Sequence, residues 1–141
     1  MRLFNSFAIS ASGLTAERLR MDLISSNIAN INTTRTAEGG PYKRKVAVFA
    51  EKLEQEIKKN SKATGKGVEV VGIYEDQSPD KLVYDPTHPD ADEQGYVHMP
   101  NINIVTEMVD LITASRSYEA NITALNAAKT MALKALEIGR G

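Results

Sequence analysis

Apolar residues recur at alternating steps of three and four at both ends of the chain, and this pattern constrains the fold more than any other feature. Near the start, the repeat runs through Leu3, Phe7, Ser10, Leu14, Glu17, Met21, Ile24, Ile28 and Ile31, and seven of these nine residues are apolar. Near the end, it runs through Ile104, Met108, Leu111, Ser115, Tyr118, Ile122, Leu125, Lys129, Ala132 and Leu136, and eight of these ten are apolar. A mean spacing of about 3.5 residues is typical of a coiled-coil seam, so both segments are predicted to be long helices.

The sequence also contains signals for where these helices begin and end. No proline occurs before Pro41, so nothing breaks the first helix early. Asn103 is a suitable N-cap for the second helix, and Gly139 is a suitable stop. The second helix is therefore predicted to span about 103–138.

The middle of the chain is predicted to form a small β region. Three stretches are rich in strand-forming residues: YKRKVAVF at Tyr42–Phe49, VEVVGIY at Val68–Tyr74 and KLVY at Lys81–Tyr84. The charged stretch Lys52–Thr64 is interpreted as a mobile connection. Asp85–Gly95 is dense in Asp, Pro and Gly and is interpreted as a turn-rich loop.

These elements predict a mainly α protein with a small β region, which is an α+β fold. We expect the two long helices to form an antiparallel coiled coil and the middle to form a small β-rich domain. The predicted boundaries are 1–36 for the N-terminal helix with its Asn-rich segment, 37–100 for the middle domain and 101–141 for the C-terminal helix. Because one seam buries little apolar surface, such a hairpin is marginal alone, and the short, polar middle favours support from neighbouring chains.

Composition argues against several classes of function. The 141 residues carry a net charge of −1 with acidic and basic residues intermixed, which argues against nucleic acid as the main partner. Cysteine is absent, so disulfides and thiolate zinc sites are excluded. No run of about 18 apolar residues occurs, so we expect no membrane span. Polar residues at Asn5, Ser6, Ser10 and Ser12 interrupt the apolar start, so we expect no cleaved signal peptide.

One cluster of histidines and carboxylates has side chains that could hold a divalent metal. Its members are Asp85, His88, Asp90, Asp92, Glu93 and His98. Aspartates beside proline also stabilise turns by bonding their own backbone, and no helical histidine spacing fixes a set of ligands here. We favour the turns and expect no catalytic residue, no cofactor and no metal.

Motifs at both ends of the chain resemble the signatures of the flagellar axial proteins, the rod and hook group. Near the start, the motifs are Ser12-Gly13-Leu14 and the box Asn27-Ile28-Ala29-Asn30. Near the end, they are Glu107-Met108, Ala114-Ser115-Arg116, Tyr118-Glu119-Ala120-Asn121 and Leu136-Glu137-Ile138-Gly139. The short length and the stretches Thr33–Lys45 and Tyr84–Asn103 resemble the proximal rod proteins within this group. Together the matches cover about two-thirds of the chain.

The resemblance implies a structural, non-enzymatic subunit of the bacterial flagellar basal body. Members of the family stack helically into the rod, the drive shaft that crosses the periplasm. They are exported by the flagellar type III apparatus without a cleaved signal peptide. The implied partners are copies of the chain, other rod subunits, the export apparatus and the ring components of the basal body.

We expect the assembly interface to lie on the two helices. Its predicted members are Leu3, Phe7, Leu14, Met21, Ile24, Asn27, Ile28, Asn30, Met108, Leu111, Tyr118, Asn121, Ile122, Leu125 and Leu136. The asparagines have two interpretations. Either they fix the register between chains in the assembled wall, as buried polar residues do in coiled coils, or Asn30 and Asn32 simply end the helix.

Two other classes of function are also compatible with the sequence. One is a soluble adapter or coiled-coil scaffold that binds partner helices in a groove. The other is a metal-dependent enzyme built on the Asp/His cluster. A rod subunit would form open helical arrays, whereas an adapter would form a closed complex.

Overall fold

The structure is a computed structural model that describes residues 2–53 and 65–139. Its elements in chain order are α1 (Arg2–Ala29), β1 (Lys45–Leu53), β2 (Gly65–Glu75), β3 (Lys81–Tyr84), β4 (Tyr96–Met99) and α2 (Ile104–Ile138). The strands form two antiparallel two-stranded sheets, β1 with β2 and β3 with β4. The α+β class expected from the sequence is therefore confirmed.

Helix α1 ends at Ala29 because Asn30 bonds the last turn. The Asn30 side-chain Nδ2 donates to the Ser26 carbonyl at 2.9 Å, and the Asn30 backbone N–H donates to the same oxygen at 3.1 Å. Thr33 Oγ1 in turn donates to Asn30 Oδ1 at 3.1 Å. These bonds agree with the interpretation that Asn30 takes part in ending the helix, and the predicted repeat through Ile31 extends two residues beyond the end of α1.

Helix α2 has the predicted bounds and caps. The Asn103 side-chain Oδ1 accepts from the backbone N–H groups of Val105 at 2.9 Å and Thr106 at 3.4 Å. At the other end, the Gly139 backbone N–H donates to the Ala135 carbonyl at 3.2 Å. The 35 residues of α2 extend about 52 Å at the usual rise of an α-helix.

The first sheet pairs Lys45 with Glu75 at one end and Leu53 with Gly65 at the other, with two register shifts between. Both strands were predicted, but β1 begins three residues later than expected and continues to Leu53, inside the stretch interpreted as a connection. The rest of that stretch, residues 54–64, lies outside the described residues.

The second sheet contains a strand that the sequence analysis missed. β3 has the predicted bounds, and it pairs with β4 from Lys81 opposite Met99 to Tyr84 opposite Tyr96. β4 is only four residues long and contains a histidine, so its pattern is too weak to predict a strand alone. The rings of Tyr84 and Tyr96 meet edge to face, with centroids 5.3 Å apart.

Helix α1 packs against both α2 and the β1–β2 sheet. Asn27 bonds Glu107, and Gly13 lies against Asn121, so 14 residues along α1 correspond to 14 residues in the opposite direction along α2. The two helices therefore run antiparallel, as predicted.

Few large apolar side chains are buried in the described part of the chain. The buried apolar residues there are Ala16, Ile24, Val97, Ile102, Ala114 and Ala128. Three of these six are alanines, which lets α1 and α2 approach closely but buries little surface. None of the described helices is both long enough and apolar enough to cross a membrane.

Candidate assembly surface and the junction behind it

Asn27, near the end of α1, bonds both neighbouring elements and is only 1% exposed. Its Nδ2 donates to the Lys45 carbonyl at 3.0 Å and to Glu107 Oε2 at 3.1 Å. Its Oδ1 accepts from the Lys45 backbone N–H at 2.9 Å and from the Tyr42 hydroxyl at 3.2 Å. Both amide donors and both acceptor positions are thus satisfied, and the paired bonds with Lys45 imitate those of a neighbouring strand.

Glu107 is the charged member of this cluster, and it is also 1% exposed. Arg44 Nε donates to Glu107 Oε1 at 2.6 Å, and the Arg44 guanidinium lies 3.7 Å from Asp110 on the next turn of α2. A buried carboxylate requires such a partner because its desolvation is otherwise strongly unfavourable. We call Asn27, Tyr42, Arg44, Lys45 and Glu107 the junction, because they connect α1, α2 and the start of β1.

The Ser12-Gly13 pair connects α1 to both of its neighbours at a second point. Ser12 Oγ accepts from the Val68 backbone N–H at 3.1 Å, and Gly67, at a φ of +109°, leaves no room for a Cβ beside that hydroxyl. A Cβ at Gly13 would lie 2.9 Å from Asn121 Nδ2. The two residues of the motif therefore allow close approach of β2 on one side and of α2 on the other.

The seam of α2 against α1 differs from the predicted one at every second position. The seam is marked by buried or partly buried residues at alternating steps of four and three: Glu107, Leu111, Ala114, Tyr118, Asn121, Leu125, Ala128 and Ala132. Asp110, Ser115 and Ser117 beside it are also partly buried. Leu111, Tyr118, Asn121 and Leu125 were predicted interface residues, and all four lie on this seam. The other predicted residues of α2 are exposed, with Met108 at 52%, Ile122 at 36% and Leu136 at 66%.

The predicted interface residues of α1 mostly flank its contact with α2. Ile24 and Asn27 are buried, and Phe7, Leu14, Met21, Ile28 and Asn30 are partly buried. Leu3 belongs to α1, but its side chain falls outside the described residues. Tyr42, Arg44 and Lys45 were not predicted as site residues, because they adjoin Asn27 or Glu107 only after folding. The spacing of Glu107, Ala114, Asn121 and Ala128 by sevens is the signal that could have found the seam.

The opposite face of α2 carries a contiguous apolar surface over its first turns. This outer patch consists of Ile104, Val105, Met108, Val109 and Ile112, which are 45–66% exposed. Helical geometry places Val105, Val109 and Ile112 across α2 from Glu107 and Ala114, with Met108 and Ile104 between that face and the seam. Over the next turns the same face is polar, with Arg116, Glu119, Thr123 and Asn126, and near the end of α2 the exposed Leu133 lies on it. A patch of this kind, confined to one part of a face, is typical of a protein interaction site.

The loop before β4 uses its aspartates to form turns. Asp85 Oδ1 accepts from the Thr87 backbone N–H and hydroxyl, and the hydroxyl bond holds the pKa of Asp85 below its ordinary value. Asp90 Oδ2 accepts from Thr34 Oγ1 at 2.8 Å, which anchors the loop to the segment after α1. Within residues 2–53 and 65–139, no group of three or more histidine, aspartate or glutamate side chains is placed to hold a metal.

Comparison with known proteins assigns the chain to a family. Residues 7–35 match the family profile described as "Flagella basal body rod protein", and residues 93–138 match "Flagellar basal body rod FlgEFG protein C-terminal". The flagellar basal-body rod protein FlgC of Borreliella burgdorferi is 48% identical over all of both chains. The FlgC of Bacillus subtilis is 49% identical over 99% of this chain and 100% of its own. This chain belongs to the FlgC family of flagellar basal-body rod proteins.

Membership of the FlgC family identifies a structural protein of the flagellar basal-body rod and not an enzyme. The similarity extends across species, since the FlgC of Salmonella typhimurium is 45% identical over 99% of this chain and 100% of its own. The two profile matches cover most of α1 and of α2, including both pairs of residues that join the helices. The adapter interpretation is not favoured by these relatives.

Proposed function

We propose that this chain is a subunit of the proximal rod, in which it assembles helically with copies of itself and with other rod proteins. The observation that carries the proposal is the outer patch. It places Val105, Val109 and Ile112 on the face of α2 that points away from α1, with Ile104 and Met108 exposed beside them. Burial of such side chains contributes about 1.5–3 kcal/mol each, so a contact with a neighbouring subunit gains substantially in free energy.

The two helices form the part of the subunit that packs into the wall of the rod. In this proposal α1 and α2 pair as a coiled coil, with both chain ends towards the lumen. Residues 1–36 and 101–141 act as the axial segments and 37–100 as an outer domain. The predicted interface residues Met108, Ile122 and Leu136 contact neighbouring subunits, as do the partly buried residues that flank the seam. Asn27 supports assembly indirectly, since its polar groups bond within its own chain.

We also propose that the flagellar type III apparatus exports the chain without cleavage of a signal peptide, and that the assembled subunit lies in the periplasmic rod near the basal-body rings. The support is the resemblance of the terminal motifs to the family. A chain without cysteine also crosses an export channel without forming disulfides on the way.

The test replaces the outer patch by charge without disturbing the seam. The double variant Val109→Glu/Ile112→Glu should keep the helical circular dichroism signal and melting temperature of the native chain. It should fail to restore swimming to a strain that lacks the native protein, and electron microscopy should show basal bodies without a complete rod.

The matched control is Thr123→Glu, which introduces charge in the polar part of the same face and should restore swimming. Complete rods built with the double variant would contradict the proposal. So would a purified chain that forms a closed complex of fixed stoichiometry with its rod partners, because a rod subunit forms open arrays.

A further inference from the structure

We infer that the small and polar residues of the seam fix the register of α1 against α2 and oppose a slide of one helix along the other by seven residues. The inference concerns the chain's own helix pair. Its test therefore does not depend on whether the outer patch contacts neighbouring subunits.

The large apolar residues near the seam cannot fix this register. They recur every seven residues on both helices, at Phe7, Leu14, Met21 and Ile28 on α1 and at Leu111, Tyr118 and Leu125 on α2. A slide by seven residues brings equivalent side chains opposite one another again. Burial of apolar surface, which is not directional, therefore favours several registers by similar amounts.

The residues between them do not repeat, and they match only in the observed register. Asn27 lies opposite Glu107, and Gly13 lies opposite Asn121. Midway between these two pairs, the same register places Arg20 opposite Ala114, which is fully buried. Along the seam, a small residue therefore lies opposite a larger one in two successive pairs, Gly13 with Asn121 and Ala114 with Arg20. The third pair, Asn27 with Glu107, is hydrogen-bonded.

A slide in either direction breaks these matches. In one direction Asn27 comes opposite Ala114, and Glu107 passes the end of α1. The hydrogen bond between these two buried polar side chains is then lost. In the other direction Asn27 comes opposite Pro100, before α2 begins, while Gly13 faces Ala114 and leaves a void. A buried polar group without its partner, or a cavity, destabilises a helix pair substantially.

The register matters for the outer surface of the molecule. A slide by seven residues displaces α2 by about 10 Å at the usual helical rise. The outer patch would move by the same distance relative to the β1–β2 sheet, which is held on α1 by the bonds of Lys45 with Asn27 and of Val68 with Ser12. A single register therefore gives the subunit a single arrangement of its exposed surfaces.

The register can be measured as a distance between two spin labels. The chain has no cysteine, so labels attach only at the introduced cysteines of Ser25→Cys and Thr123→Cys, both exposed positions. Ser25 lies opposite Val109 in the observed register, so the labels are offset by 14 residues, or about 21 Å, along the helix axis. Double electron–electron resonance should give one distance for this labelled chain.

The decisive variant exchanges two residues of α2, Ala114→Asn with Asn121→Ala, and leaves the composition unchanged. The asparagine then faces Gly13 only after the slide that also brings Glu107 opposite Arg20. We expect a second distance, about 10 Å longer than the native one. The matched control exchanges two exposed residues of the same helix, Ala124→Asn with Asn126→Ala, and should keep the single native distance.

A second variant decides the question if the exchanged chain does not fold. Gly13→Ala with Asn121→Ala places two alanines opposite each other where glycine and asparagine now meet. The pairing of a small with a large residue is removed, and the total side-chain volume does not increase. This chain should show a minor population at the longer distance. The inference is overturned if every variant that folds retains only the native distance.

Discussion

Asn27 and Glu107, 80 residues apart in the chain, are joined by a hydrogen bond of 3.1 Å between Nδ2 and Oε2, with each residue only 1% exposed. Asn27 belongs to a motif of the first helix and Glu107 to a motif of the second. The two motifs match separate family profiles, yet they meet within one chain. The bond therefore gives one residue of each motif the same structural role, which is to join the N-terminal helix to the C-terminal helix.

Replacing Asn27 by alanine should strongly destabilise the folded chain. The substitution leaves the Lys45 backbone groups without their side-chain partners and removes one donor from a buried carboxylate. Losses of this kind amount to about 3–5 kcal/mol. Urea unfolding followed by circular dichroism, on dilute protein, measures the change.

Asn30→Ala is the matched control because this asparagine lies one turn later in the same motif. Its side chain bonds the Ser26 carbonyl and Thr33 at a partly buried site, so its loss should destabilise by about 1 kcal/mol. Equal effects of the two substitutions would show that the junction contributes no more than an ordinary helix end.

A double-mutant cycle tests the contact between Gly13 and Asn121. Gly13→Ala improves helix propensity by about 1 kcal/mol, but the added Cβ would lie 2.9 Å from Asn121 Nδ2. We therefore expect the substitution to destabilise the native chain or leave it unchanged, and to stabilise a chain that carries Asn121→Ala by about 1 kcal/mol. Thermal unfolding of the four chains gives the coupling free energy, expected at about 1–2 kcal/mol.

A glycine-to-alanine substitution outside the seam provides a reference. Gly139→Ala meets only ordinary contacts with the last turn of α2, so its effect should not depend on residue 121. Additive effects of Gly13→Ala and Asn121→Ala, within about 0.3 kcal/mol, would mean that the two residues do not constrain each other.

Local signals were sufficient to predict most elements of the fold. The bounds of α2 follow from Asn103 and Gly139, whose capping bonds are made within four residues of each cap. Three strands and the turns of the loop before β4 also follow from local composition. β4 was missed because four residues cannot display a pattern, and its pairing with β3 depends on a loop of eleven residues between them.

The phase of the seam could not be read from the apolar pattern. The prediction selected the most apolar stripe of α2, whereas α1 packs on the stripe that contains Glu107, Ala114, Asn121 and Ala128. Hydrophobicity identifies what can be buried, but here close packing against α1 and bonding to Asn27 select small and polar side chains on α2. The partners of Asn27 are likewise set by folding, since its side-chain contacts with Tyr42, Lys45 and Glu107 span 15 to 80 residues.

The carboxyl group of Asp85 should titrate below the ordinary range for aspartate. Thr87 donates to it through both its hydroxyl and its backbone N–H, which favours the ionised form and lowers the pKa. Because the folded pKa lies below the unfolded one, the associated stability is present above the unfolded pKa and is lost as the pH falls through the folded pKa. Nuclear magnetic resonance titration of the side-chain carboxyl carbon measures this pKa directly.

Thr87→Val keeps the shape of the side chain and the backbone bond but removes the hydroxyl, so the pKa of Asp85 should rise towards its ordinary value. Asp76 serves as an internal reference in the same titration. Its pKa is lowered chiefly by the equivalent hydroxyl bond from Ser78, and it should not change. An Asp85 titration unaltered by Thr87→Val would assign the low pKa to another cause, and a parallel change at Asp76 would indicate a general rearrangement instead of the loss of one hydrogen bond.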